Sequence, residues 1–518
     1  MNKKVKVRFA PSPTGALHIG GVRTALFNYL FAKKHGGEFF LRIEDTDKHR
    51  FVAGAEKYII DSLAWCGISP DDGVNPDGTA KYRQSEREYF KYVIQLIDSG
   101  HAYYAFDTPA ELEAMRKEQE TSGSSALGYT QKTRMNMKNS FTWSKSAVST
   151  WISSGASYVV RFNTPAGKTI EFTDSVKGKI TFSSDNMDDK ILFKSDGLPT
   201  YHLANVVDDH LMEITHVIRG DEWLSSTPLH IMLYEAFGWD RPDFCHLPLI
   251  LGPDGKKLSK RHGDKYGFPV FPMTWDYIDE EGKDVHVTGF KDENYEPDAL
   301  LNFLVLLGWN PGSDKEIMTM DEMISLFDID RINNSGAMFD IEKLKNFNAH
   351  YLRSRDFLYL FENYIEPHAP RDKDIFDIKH NGVYEMSKAE KIENIAKERS
   401  VFSKDLYQHV SYFFEPAVLK DDVALKNPNE FSGVIRSFCL YFANNADANW
   451  SIEGINKFLD EECESRGFKV GKILPDLRMA LTGGMPGPHL PDTMFILGKE
   501  ESIKRIKNLL NKTEKVAS

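Results

Sequence analysis

The stretch from Val5 to Asp47 constrains the fold more than any other, because it sets a strand, a loop, a helix and a second strand end to end. Val5, Val7 and Phe9 alternate with polar residues, the period-two pattern of a strand. Ala10–Gly21, which contains PSPTGALHIGG, is punctuated by Pro and Gly and reads as a loop. Val22–His35 then places Leu26, Tyr29, Leu30 and Lys33 at helical spacing until Gly36-Gly37 stop it. Phe39, Leu41 and Ile43 resume the alternation and end in Glu44-Asp45-Thr46-Asp47. This order is that of a parallel βαβ crossover, in which ligands gather beyond the carboxyl ends of the strands. The prediction is an α/β chain with a doubly wound parallel sheet, Arg8–Ser12 and Glu44 lying at its ligand end.

The loop itself suits an anion. A helix N-terminus carries unpaired N–H groups and about half a positive charge. Gly15, Gly20 and Gly21 let phosphate come close, Pro11 and Thr14 shape the approach, and His18 offers one imidazole. A second segment, KLSKR at Lys257–Arg261, follows Gly252-Pro253-Asp254-Gly255 and crowds Lys257, Lys260 and Arg261 around Ser259. Cations so close repel unless an anion or solvent separates them, and the lead-in predicts a mobile loop able to close over a triphosphate. Alone, the first segment reads equally well as a structural turn and the second as a solvated basic loop. Together they point to one nucleotide held from two sides.

A chain of 518 residues exceeds one core, and usual domain sizes predict about three to five domains. A Rossmann-type sheet is expected over 1–102 and 190–250. An α+β insertion fills 103–189, with a helix at Pro109–Glu120 and a Ser/Gly-rich loop at Thr121–Ser125. Residues 251–339 carry the basic loop and an extra stretch, 264–292, expected as a structured loop or hairpin. Helical patterning fills 340–518, as two subdomains. The net charge of −12 argues against a general polyanion coat while permitting a local nucleic-acid face. No apolar run is long enough to span a bilayer, and MNKKVKVRFAPSP passes straight into a strand, which points to the cytoplasm. Cys66, Cys245, Cys439 and Cys463 form no CxxC pair, which argues for reduced core thiols.

PSPTGALHIGG resembles the HIGH signature, and KLSKR the KMSKS signature, of class I aminoacyl-tRNA synthetases. RFAPSPTG, LRIEDTD, YHLANVVDD, VIRGDEW, LLGW and MALTGG resemble the bacterial glutamyl branch of that family, over nearly the whole chain. The last position of the HIGH pattern is Gly21 here. The resemblance implies activation of L-glutamate by ATP with Mg²⁺ and transfer to glutamate tRNA, by a cytoplasmic monomer that uses neither membrane nor DNA. It implies His18 and Lys260 as catalytic groups. Arg8 and Arg219 would fork onto carboxylates beside Tyr201 and Asn205. Glu44, Ser12 and the Ala10 backbone would take the ammonium. Trp223, Leu249 and Ile250 would line the adenosine surface, with Lys257, Ser259 and Arg261 at the phosphates. The insertion would meet the acceptor stem and the helical part the anticodon, with Arg353 and Arg355 as candidate RNA contacts. Some relatives carry zinc in the insertion, but YYAF at Tyr103–Phe106 offers no thiolate, so no zinc is expected.

Asp221 and Glu222 follow Arg219 and make a core ion pair a competing reading for that arginine. Five other functions compete: a glutaminyl enzyme, a relaxed one charging both tRNAs with glutamate, a truncated base-modifying paralogue, a small HxGH nucleotidylyltransferase, which shares the strand–loop–helix but neither KLSKR nor the helical half, and a non-catalytic RNA-binding relic. The second guanidinium disfavours the first, the helical half the third, and the retained ATP loops the last.

Overall fold

The computed structural model describes residues 3–121, 128–368, 386–416, 419, 424–445 and 448–516, so most of the Thr121–Ser125 loop lies outside the described residues. The chain divides into two compact units, Met1–Glu293 with Pro297–Leu344, and Asn294–Glu296 with Lys345–Ser518.

In the first unit, β1 (Lys6–Phe9) and β2 (Glu38–Leu41) pair in parallel around helix α1 (Ile19–Lys34), with Lys6 opposite Glu38 and Phe9 opposite Leu41. Val7, Phe39 and Leu41 from the strands and Val22, Leu26 and Leu30 from the helix are fully buried. Each such side chain contributes about 1.5–3 kcal/mol on leaving water.

The following segment supplies β3 (Ala102–Ala105), β4 (Val159–Phe162), β5 (Thr169–Asp174), β6 (Gly178–Ser183) and β7 (Ile191–Phe193). Strands β3, β4 and β7 make an antiparallel sheet. The β5–β6 hairpin instead joins β8 (His216–Gly220) and β9 (Asp243–Leu247), which pair in parallel, through Asp174 opposite Phe244. This gives a mixed sheet of order β6-β5-β9-β8. The Asp174 carboxylate accepts the turn N–H groups of Val176 and Lys177 at 3.0 and 2.9 Å, which bends the hairpin back. The Thr215 N–H donates to the Lys6 carbonyl at 2.9 Å and brings β1 beside β8.

Further on, β10 (Ile250–Leu251) is followed by an antiparallel hairpin of β11 (Trp275–Ile278) and β12 (Asp284–Val287), then by β13 (Ala337–Met338), which pairs with β10. The 264–292 stretch thus contains a β-hairpin.

The second unit is helical where described. Helices Pro428–Asn444, Ile452–Ser465, Leu474–Thr482, Leu490–Leu497 and Lys499–Val516 enclose Phe431, Phe438, Leu477 and Ile506. Arg355, a candidate RNA contact, donates to Glu296 at 2.6 Å, and Arg353 reaches the Lys397 and Glu398 carbonyls at 3.4 Å. All four cysteines are buried thiols. Among the described residues, no helix is long and apolar enough to cross a membrane.

Candidate active site

A cleft of about 400 Å³ opens where β1 meets the N-terminus of α1. The loop Ala10–Leu17 must turn sharply there. Gly15 sits at φ +140°, a conformation other residues rarely adopt, and the Tyr277 hydroxyl lies 3.2 Å from where a Cβ would stand. Gly21 faces a different limit, since a Cβ would meet Leu17 Cδ1 at 2.6 Å and Phe9 Cζ at 3.5 Å. A side chain at this position would require Leu17 to shift.

His18 caps α1, and its Nδ1 accepts the Gly20 N–H at 3.1 Å. The ring proton therefore sits on Nε2, which is buried and finds no partner among the described residues. Burial, then Lys257 and His262, lower the His18 pKa to about 4. The imidazole is a neutral donor at a helix N-terminus, suited to a phosphoryl oxygen.

Arg8, Ala10, Ser12, Glu44, Tyr201, Asn205 and Arg219 all line this cleft, but the two arginines are held differently from the sequence expectation. Arg8 is not an open fork: Nε and Nη2 donate to Asp209 at 3.0 and 3.1 Å. Arg42 donates to Asp209 at 2.7 Å and to Glu44 at 3.2 Å, while Gln84 and Tyr89 donate to Asp208 at 2.9 and 2.8 Å. Arg87 also pairs with Asp208. Burial opposes ionisation of Asp209, but Arg8 and Arg42 outweigh it and hold the carboxyl below its usual range. At Glu44 burial wins and pushes the carboxyl up, Arg42 and Arg8 offsetting only part of the rise. Asn205 donates to Glu44 Oε1 at 3.3 Å.

Arg219, the residue suspected of a core ion pair, has none among the described residues. Its Nε donates to His246 Nε2 at 3.0 Å, Nη1 to the Tyr201 hydroxyl at 2.9 Å and Nη2 to Thr227 Oγ1 at 2.8 Å. Asp221 and Glu222 turn away, to Lys177 at 3.1 Å and Lys257 at 2.9 Å. Tyr201 packs on Trp223 at 4.4 Å.

At the nucleotide end, Pro11, Thr14, Gly20, Gly21, Trp223, Leu249, Ile250 and Lys257 line the cleft, whereas Gly15, Ser259, Lys260 and Arg261 do not. Ser259 caps the helix Lys260–Tyr266 together with His262. Lys260 Nζ donates to the His286 carbonyl on β12 at 3.0 Å, and Arg261 is exposed. The basic loop opens with a turn closed by Gly252 N–H to the Lys256 carbonyl at 2.7 Å, with Asp254 2.9 Å from His262.

Sequence reading missed Arg42, Asp208, Asp209, Asp174 and His246. The available signal was the two carboxylates following the apolar Val206-Val207 on one helix, whereas Arg42 stands off the Phe39-Leu41-Ile43 alternation and carried none. Among the described residues, no group of three His, Cys, Asp or Glu side chains is placed to hold a metal. At Tyr103–Phe106, Tyr103 packs on Phe141 at 4.8 Å and Phe106 stacks on Trp143 at 4.6 Å.

Residues 4–346 match the family model of class I tRNA synthetases (E and Q), catalytic domain, and residues 360–510 match that of an anticodon binding domain. A glutamate–tRNA ligase of Flavobacterium johnsoniae is 45% identical over 99% of this chain and 100% of its own. That of Amoebophilus asiaticus is 44% identical over 98% of both chains. A crystal structure of a glutamate tRNA ligase from Elizabethkingia meningosepticum, in complex with its amino acid, is similar at a TM-score of 0.86 and 42% identity, covering 98% of this chain and 99% of that one. The βαβ unit, the histidine-capped helix and the basic turn are therefore parts of a known architecture, and the chain belongs to the class I tRNA synthetases for glutamate and glutamine.

Proposed function

We propose that the cleft joins L-glutamate to ATP and hands the product to tRNA, the chain being a glutamate–tRNA ligase. The glutamate α-carboxylate attacks the ATP α-phosphate, forming glutamyl-adenylate and releasing pyrophosphate. The terminal ribose hydroxyl of glutamate tRNA then takes the glutamyl group and AMP leaves. Neither step needs an enzyme nucleophile, so positioning and charge stabilisation carry the catalysis.

His18 Nε2–H donates to a phosphoryl oxygen, and Lys257 and Lys260 balance charge building on the phosphates. Mg²⁺ accompanies the ATP and supplies further charge neutralisation. Tyr201 and Arg219 face a substrate carboxylate, while Glu44 receives the ammonium.

The observation that carries this reading is the charge of the amino-acid end. Arg8, Arg42 and Arg87 are paired with Asp208, Asp209 and Glu44, whereas the buried Arg219 guanidinium lines the cleft with no carboxylate in direct contact among the described residues. Glutamate brings two carboxylates and one ammonium, a net −1. Glutamine brings zero and leaves the buried charge unmatched.

The test is aminoacylation of glutamate tRNA and glutamine tRNA transcripts with each amino acid in turn. Glutamate transfer to glutamate tRNA is expected, and its absence from both transcripts sinks the reading. Transfer to both defines a relaxed enzyme. Pyrophosphate exchange is expected to require tRNA.

A further inference from the structure

We propose that Asp174 and His246 form a relay that holds Arg219 in place without spending its charge, and so serve as positioning residues for glutamate selection. The inference rests on the assignment of Arg219 to a glutamate carboxylate.

Asp174 ends β5 and is fully buried. Its Oδ1 accepts the Val176 and Lys177 amides, Oδ2 lies 2.6 Å from His246 Nδ1, and the His246 backbone N–H reaches Oδ1 and Oδ2 at 3.3 and 3.2 Å. An ionised carboxylate only accepts, so the imidazole proton stands on Nδ1 and Nε2 keeps its lone pair. That lone pair accepts the Arg219 Nε–H. Burial raises the Asp174 pKa, but the His246 and backbone N–H bonds outweigh it and keep the carboxyl ionised. Burial, aided by Arg219, keeps His246 neutral despite Asp174.

The negative charge thus reaches Arg219 only through a neutral ring. A carboxylate placed directly on the guanidinium, as Asp209 is on Arg8, would compete with the substrate carboxylate. An imidazole stops rotation about the Nε end and leaves the charge for the ligand. Tyr201, Thr227, the Trp223 carbonyl and the buried His230 ring, Arg219's other close partners, are neutral as well.

Asp174→Asn tests the relay with almost no change of shape. If the carboxamide oxygen keeps the turn amides, its NH₂ faces His246 Nδ1 and drives the ring proton to Nε2. Two donors, Nε2–H and Arg219 Nε–H, then meet. In tRNA-dependent pyrophosphate exchange, the glutamate KM is expected to rise about tenfold or more while the ATP KM stays within about twofold. On an Arg219→Lys background the same change is expected to add less than about twofold to the glutamate KM, because the group it acts through is gone.

His246→Leu, which removes the acceptor, is judged by the same split should Asp174→Asn fail to fold. Equal rises in both KM values, or the full effect persisting in Arg219→Lys, would make the pair merely structural and overturn the relay. So would a glutamate KM left unchanged by Asp174→Asn when the wild type charges tRNA normally. A wild type that transfers no glutamate would instead fall on the assigned function.

Discussion

The two walls of the amino-acid end are built on opposite electrostatic plans. Around Arg8, guanidinium and carboxylate groups saturate one another inside the protein: Arg8 and Arg42 converge on Asp209, and Arg42 continues to Glu44. Around Arg219, a buried guanidinium is held by two imidazoles, a phenol, a hydroxyl and a carbonyl. The first plan fixes geometry at the expense of available charge. The second keeps charge available and needs other means of fixing geometry.

Arg42→Ala should break the first wall most severely. It leaves Asp209 and Glu44 buried with half their compensation, a loss of about 3–5 kcal/mol measurable by urea denaturation. A loss below about 1 kcal/mol would mean that the wall is not held by ions. Arg219→Lys should do the reverse. Stability should change little, while kcat/KM for glutamate falls about a hundredfold, because one ammonium cannot replace a planar fork. A variant that unfolds instead would erase the distinction between the walls.

Lys260→Ala probes the nucleotide end, where neither plan applies. ATP turnover should fall about tenfold or more with tRNA binding retained, and charging within a few-fold of wild type would remove the assigned role. The smallest effect is that of pH. Glu44 is pushed up by burial, so its charge disappears at higher pH than that of an ordinary carboxylate. The glutamate KM should therefore climb a few-fold as pH falls below neutral, and do so before ordinary carboxylates titrate, with the ammonium losing its partner. His18, held down to about 4, contributes nothing over that interval. A flat glutamate KM across it would remove Glu44 from the ammonium site.

The same contrast separates what was legible in the sequence from what was not. The βαβ unit could be read because alternation and helical spacing are local, as in Val5-Val7-Phe9 and Leu26-Leu30. The residue types of the cleft could be read from their motifs. Which arginine was already paired could not be. Asp221 and Glu222 lie beside Arg219 in sequence, yet the chain leaves β8 at Gly220 and carries both away to lysines. Arg8 finds its carboxylate 201 positions on, at Asp209. The relay behind Arg219 was hidden for the same reason, since Asp174 and His246 stand 72 positions apart on neighbouring strands. The Lys260 contact could not be read either, because the 264–292 hairpin, whose sequence gives no hint of its target, supplies the carbonyl.

That hairpin reaches both signature segments. Trp275 stacks on Tyr58 at 4.8 Å and on Tyr277 at 4.3 Å, Tyr277 lies over Gly15, and the His286 carbonyl receives Lys260. The consequence is one of timing. A lysine that settles on a phosphate from free solution gives up rotamer freedom worth up to about 2 kcal/mol, and it would do so in every catalytic cycle. A lysine already tethered, with two protons still to offer, has surrendered part of that freedom once, when the chain folded.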